Sequence, residues 1–238
     1  MSIFTKLFIP VVADNMHFHV ITLFPELCQA YTSASILGRA QKVEKGKGAK
    51  VTGQQIAVSY YNPRDYSEDK NHKVDERPYG GGPGMVMQAL PVLRAAEAAM
   101  GTKDRRKTKV LIMSPRGTVL DQTYAKKLAR KYTDIVLISG RYEGIDSRVK
   151  KILRAEEISV GDYVLTGGEL PALTIIDAVA RQIPGVLGTF ESLEDERVAS
   201  GEMYTRPEIL EYKDKRYKVP KVLLGGNHAL IEKWKQGK

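Results

Sequence analysis

The chain carries a single cysteine, Cys28, among 238 residues. One thiol excludes an intramolecular disulfide and any multi-cysteine metal cluster. It fits a reducing compartment, with Cys28 as a small buried hydrophobe. Long apolar runs are also lacking. Nothing approaches the roughly 18 consecutive apolar residues of a membrane helix, so a cytoplasmic protein without a membrane partner is expected. The apolar piece before residue 16 has no clear small-residue cleavage site and is not read as a signal peptide. Residues 1–15 read as an N-terminal extension, with Met16 an equally good start. Acidic residues are under-represented: 37 Lys and Arg face 28 Asp and Glu, a net charge of +9. That sign favours a polyanionic partner such as nucleic acid, whose phosphates attract Lys and Arg. A glycine-rich segment at residues 71–87 (NHKVDERPYGGGPGMVM) lacks the Gly-Lys-Ser/Thr that would make it a nucleotide P-loop.

What is present is a succession of short β-rich and helical stretches. Residues 17–23 (HFHVITL) alternate and read as a strand, followed by a helix over 26–37 that Gly38 stops. His17 and His19 share one face of that strand. A metal pair needs a third ligand, and none is spaced nearby, so both are read as structural and no metal is expected. Residues 39–53 are basic and glycine-dotted, a solvated hairpin tip before a strand at 55–60. A helix is expected over 90–100. Strands at 109–114, 134–139 and 157–160 then alternate with helices at 120–132 and 145–154. That succession predicts an α/β fold with a parallel sheet flanked by helices.

Each of the three later strands runs into a polar glycine loop. The first loop is Ser114, Pro115, Arg116 and Gly117, and the second Gly140, Arg141, Tyr142, Glu143 and Gly144. The third extends from Ser159 to Pro171 through Val160, Gly161, Asp162, Tyr163, Val164, Leu165, Gly167 and Gly168. Glycine lets backbone N–H and C=O groups approach a bound molecule closely. In α/β sheets, ligands sit beyond the carboxyl ends of the strands, so the three loops together predict a cofactor pocket. The helix expected over 171–183 carries Leu173, Ile176, Ala180 and Ile183 on one face, with Thr174, Asp177 and Arg181 on the other. An i,i+4 ion pair with Asp177 would by itself account for Arg181.

The segments 140–146 (GRYEGID) and 159–173 (SVGDYVLTGGELPAL) closely resemble the bacterial tRNA (guanine-N1)-methyltransferases that act at position 37, a family of the SPOUT class. The likeness continues in 75–85 (DERPYGGGPGM), 183–188 (IPGVLG), 204–208 (YTRPE) and 222–229 (VLLGGNHA). It implies a trefoil-knotted domain over 16–188, a flexible linker over 189–203 and a short helical tRNA-binding segment over 204–238. It also implies a homodimer that binds S-adenosylmethionine through the three loops and accepts tRNA whose anticodon arm carries guanosines 36 and 37. Arg181 matches the family's catalytic arginine. The catalytic carboxylate is expected in the acidic linker, where the family's Asp-Ser-Phe is replaced by Asp195-Glu196-Arg197-Val198. Ungapped register from Gly188 puts Glu196 at the base position. A one-residue slip puts Asp195 there, and that reading is slightly favoured. The family usually continues for several dozen residues beyond the tryptophan found here at 234. Lysines of residues 39–50 and 213–221 are expected to supply phosphate contacts in place of that region.

Overall fold

The computed structural model describes residues 15–42, 44–45, 51–52, 54–187 and 202–235. The chain divides between Val186 and Leu187 into two compact units. In chain order the first runs β1 (Met16–Ile21), α1 (Pro25–Thr32), α2 (Ser35–Ala40), β2 (Glu44–Lys45), β3 (Val51–Thr52), β4 (Ile56–Tyr61), β5 (Asp75–Glu76) and β6 (Val86–Met87). It continues with α3 (Ala89–Met100), β7 (Thr108–Val119), α4 (Gln122–Lys131), β8 (Asp134–Ile138), α5 (Arg148–Leu153), β9 (Glu156–Ser159) and α6 (Glu169–Ala180).

Five strands form one sheet in the order β4-β1-β8-β7-β9, and every neighbouring pair is parallel. The strands are short apolar runs because both faces are covered. Phe18, Val20, Leu111, Ile135 and Leu137 point to one side, where they pack with residues of α1, α4 and α6. Ile21, Val110, Ile112, Val136 and Ile138 point to the other, against α3 and α5. Full burial of such a side chain is worth about 1.5–3 kcal/mol, so these two layers supply the main drive for folding. Local signals agree with them. Pro25 opens α1, and Asp121 caps α4 by accepting the Tyr124 backbone N–H at 2.6 Å. Among the described residues no helix is long and apolar enough to cross a membrane.

Several boundaries differ from the sequence reading. The single helix expected over 26–37 is two, broken at Ser33 and Ala34, and Gly38 lies inside α2 instead of stopping it. Gly38 faces the Ser33 carbonyl so closely that an added Cβ would sit 2.0 Å from its oxygen. The glycine therefore serves the helix–helix corner. β7 runs past its expected end at Ser114, because the chain bulges between Met113 and Thr118 and then rejoins β9. The segment 114–117 is thereby pushed out of the ladder. The glycine-rich stretch at 71–87 forms a small antiparallel hairpin of β5 and β6.

The second unit holds β10 (Ile209–Tyr212) and β11 (Lys215–Lys218), then α7 (Lys221–Leu224) and α8 (His228–Lys235). A helical segment was expected, yet its first half is an antiparallel hairpin. The connection, Lys213-Asp214, has both φ angles positive, +49° and +57°. That is the twist a two-residue hairpin needs, but neither residue is the Asn-Gly that signals it in sequence. Tyr204 and Trp234 make a tilted ring contact at 6.2 Å within this unit.

Candidate functional site

All five parallel strands point the same way, so their carboxyl ends share one edge of the sheet. Three loops leave that edge: the β7 bulge, the loop after β8 and the loop after β9. They close on a cleft of about 270 Å³. Its walls are Ser114 and Pro115 from the bulge, Gly140 to Gly144 from the second loop, and Val160, Gly161, Tyr163 to Gly168 and Pro171 from the third. Three predicted residues lie elsewhere. Arg116 lines a neighbouring, wider cleft of about 1230 Å³. Gly117 is in β7, where an added Cβ would meet the Ile158 nitrogen at 2.3 Å, so it serves strand packing. Asp162 is exposed and outside the lining. Sequence reasoning did not single out Met113, Ile158 or Thr166, all of which also line the cleft. Ser159, where the third predicted loop begins, lines it too, and Thr166 stands inside that loop between the chosen Leu165 and Gly167.

The loops are held together from beneath. Glu169, in the first turn of α6, is buried, and Thr22 donates its hydroxyl to Oε1 at 2.8 Å. Oε2 lies 3.0 Å from Arg141 Nε. The contact is an ion pair whose N–H is not well aimed at the oxygen, since neither atom counts as hydrogen-bonded. The Arg141 guanidinium stands 4.6 Å over the Phe24 ring, a cation–π contact. Its Nη1 donates to the Thr166 carbonyl at 3.4 Å. One carboxylate thus joins the end of β1, the second loop and the third. Gly168 completes the seam: its N–H donates to the Gly140 carbonyl at 2.9 Å. A Cβ there would meet the Ser139 Cα at 2.6 Å.

The rim of the cleft is apolar and open to solvent. Tyr142, Tyr163, Val164 and Leu165 are all exposed. A group of exposed large hydrophobic side chains beside a glycine-lined cavity marks a ligand-binding or interaction surface. The wider cleft shares Ser114, Pro115, Gly140, Glu143 and Gly144 with the smaller one, and adds Arg77, Tyr79 and Arg148. Asp146 there is held below the usual carboxylate range, chiefly by its hydrogen bonds to the Arg148 guanidinium.

Arg181 follows α6 directly as its half-buried C-cap. The ion pair with Asp177 that would by itself account for Arg181 is not present among the described residues. Asp177 instead accepts the Tyr31 hydroxyl at 2.5 Å, and that bond raises the Tyr31 pKa. From Gly168 to Arg181 the helix rises about 20 Å at 1.5 Å per residue, so the arginine lies far from the cleft of its own chain. Asp195 and Glu196 lie outside the described residues.

The family model described as tRNA (Guanine-1)-methyltransferase TrmD matches residues 16–238. Relatives named tRNA (guanine-N(1)-)-methyltransferase include one from Ruminiclostridium cellulolyticum, 49% identical over 92% of this chain and 89% of its own. One from Pseudoalteromonas atlantica is 46% identical over 92% and 78%. One from Clostridioides difficile is 44% identical over 93% and 91%.

Proposed function

The chain belongs to the tRNA (guanine-1)-methyltransferase family, and from that premise we propose that it transfers a methyl group from S-adenosylmethionine to N1 of guanosine 37, beside the anticodon. Methylation of guanine N1 in tRNA is the activity that its family and its relatives' names carry. The donor, the position, a cytoplasmic setting and a homodimer are the finer parts of the reading. So is a SPOUT-type trefoil knot running through the glycine loops.

One observation supports it above the others: three glycine loops from one sheet edge close on a single cleft with an exposed apolar rim. The residues fit the donor. Backbone groups of Gly140 to Gly144 and of Val160 to Gly168 suit the polar edges of a purine. Tyr163, Val164 and Leu165 suit its faces. When bound, S-adenosylmethionine supplies an electrophilic methyl group on a sulfonium sulfur.

The chain's own groups then do two things. Guanine N1 carries a proton and is a poor nucleophile until it leaves. Asp195 or Glu196 accepts that proton, and the Arg181 guanidinium balances the charge growing on O6. The methyl group that the sulfonium would supply would take the place of this proton on N1, and the carboxylate would keep the proton.

The length of α6 bears on how many chains this takes. About 20 Å of helix between cleft and arginine supports a site built from the cleft of one copy and the Arg181 of another. Mixing inactive Arg181→Ala chains with inactive Gly168→Ala chains tests this. Random reassortment restores about a quarter of the sites if they are shared between chains, and none if each chain works alone. Asp195→Ala and Glu196→Ala, made singly, assign the base. If neither slows transfer, the proton acceptor is elsewhere.

A further inference from the structure

At the opposite edge of the sheet, where the strands begin, three potential metal ligands converge. His17 and His19 sit two residues apart on β1 and so face the same way. In the parallel register of β1 and β8, His17 is directly paired with Asp134. One ligand atom from each of His17, His19 and Asp134 lies within 4.8 Å of the others, the one such group of three among the described residues. The third ligand that the sequence did not offer nearby is thus delivered by strand pairing, across 115 residues.

Two features make this more than a chance cluster. First, one of the three donor pairs already has nearly the spacing a metal needs, and the third donor lies within 4.8 Å of both. Donors around a tetrahedral zinc stand about 3.3 Å apart, given bonds of about 2.0–2.1 Å. His19 Nε2 and Asp134 Oδ1 are 3.0 Å apart, so the pair must open by only a few tenths of an ångström. Second, the outer contacts of a ligating histidine are in place. With the metal on Nε2, His19 Nδ1–H faces the Tyr61 hydroxyl at 3.3 Å, a contact that fixes the ring and its tautomer. Ser59 Oγ lies 2.8 Å from His17 Nε2, and the two imidazoles lie with centroids 3.9 Å apart and planes tilted by 35°. Lys103 is the nearby opposing charge, and its Nζ is engaged by the Ala99 carbonyl at 3.1 Å.

We propose that His17, His19 and Asp134 form a site for one divalent transition-metal ion, with zinc the best match to two imidazoles and a carboxylate. A magnesium or calcium ion, which prefers an all-oxygen shell, is excluded by the same donor set. The ion ties β1 to β8 at the edge remote from the glycine loops, so it stabilises the sheet by binding only the folded chain. It takes no part in methyl transfer.

Calorimetric titration of the chelator-stripped, full-length protein with zinc chloride, beside magnesium chloride, tests the site. One zinc per chain is expected, with a raised thermal midpoint and no response to magnesium. His17→Gln and Asp134→Asn each weaken binding at least about tenfold, while His72→Gln and His228→Gln leave it unchanged. Should the first two variants misfold, the cobalt(II) spectrum of the unmodified chain decides, with the intense visible bands of a tetrahedral site expected. Absence of saturable zinc binding, loss of it in His72→Gln or His228→Gln alone, or a purely octahedral cobalt spectrum would overturn the proposal.

Discussion

Glu169 joins three segments that are far apart in the chain, through Thr22, Arg141 and its own place at the head of α6. A carboxylate so enclosed is costly to desolvate, and it is tolerated because a guanidinium and a hydroxyl meet it. Replacing it with alanine leaves the Arg141 charge uncompensated, and about 3 kcal/mol of stability should go in urea denaturation. Affinity for S-adenosylmethionine should fall with it, since the second and third loops lose their common anchor. Cys28 gives a second prediction. Burial, helped by the charges of Glu169 and Glu26, pushes its thiol from 9.0 up to about 12. The native thiol should resist alkylation at pH 8 and react once urea unfolds the chain. The same shift favours the protonated native form, so stability holds below pH 9 and declines between pH 9 and 12, where the unfolded thiol ionises first. Neither Glu169 nor Asp134 was legible as important. Each stands in an ordinary polar position of its segment, and only packing reveals what it faces.

At the scale of elements, the cleft depends on how closely the loops approach. Gly168→Ala puts a methyl group against the Ser139 Cα and the Gly140 nitrogen, 2.6 and 2.8 Å away. Backbone cannot yield there as a side chain does. We expect a cofactor affinity at least tenfold weaker by calorimetry, with the helix content of α6 retained by circular dichroism. The strands and most helices were readable because apolar runs of the right length stood between turn residues. The corner between α1 and α2 was not, since Gly38 looks the same in sequence whether it stops a helix or makes room for a neighbouring carbonyl. The hairpin of β10 and β11 was missed for a similar reason. Lys213-Asp214 adopts left-handed backbone without glycine or asparagine to announce it. The loops themselves were legible, because three glycine clusters on one edge have few other uses. The outlying Gly117 shows the limit, for its glycine serves a strand contact and not the cleft.

The whole molecule carries a surplus of nine positive charges. In the second unit, Lys215 and Lys218 are exposed on β11. If this hairpin meets phosphates, reversing both charges weakens tRNA binding, and the slope of log affinity against log salt falls by about 0.7–0.9 per lysine. An unchanged slope would move the RNA-binding surface elsewhere. Of the lysines of residues 39–50 expected to do the same, Lys42 is exposed and the side chains of Lys45, Lys47 and Lys50 lie outside the described residues, so the two groups are best compared by the same titration. The most direct measurement concerns the product. Purified protein is incubated with methyl-labelled S-adenosylmethionine and two tRNA transcripts that differ only in having guanosine or adenosine at position 37. Label on the guanosine transcript alone, recovered after digestion as 1-methylguanosine, is the predicted result. Equal labelling of both transcripts, or methylation at another atom or position, would contradict it.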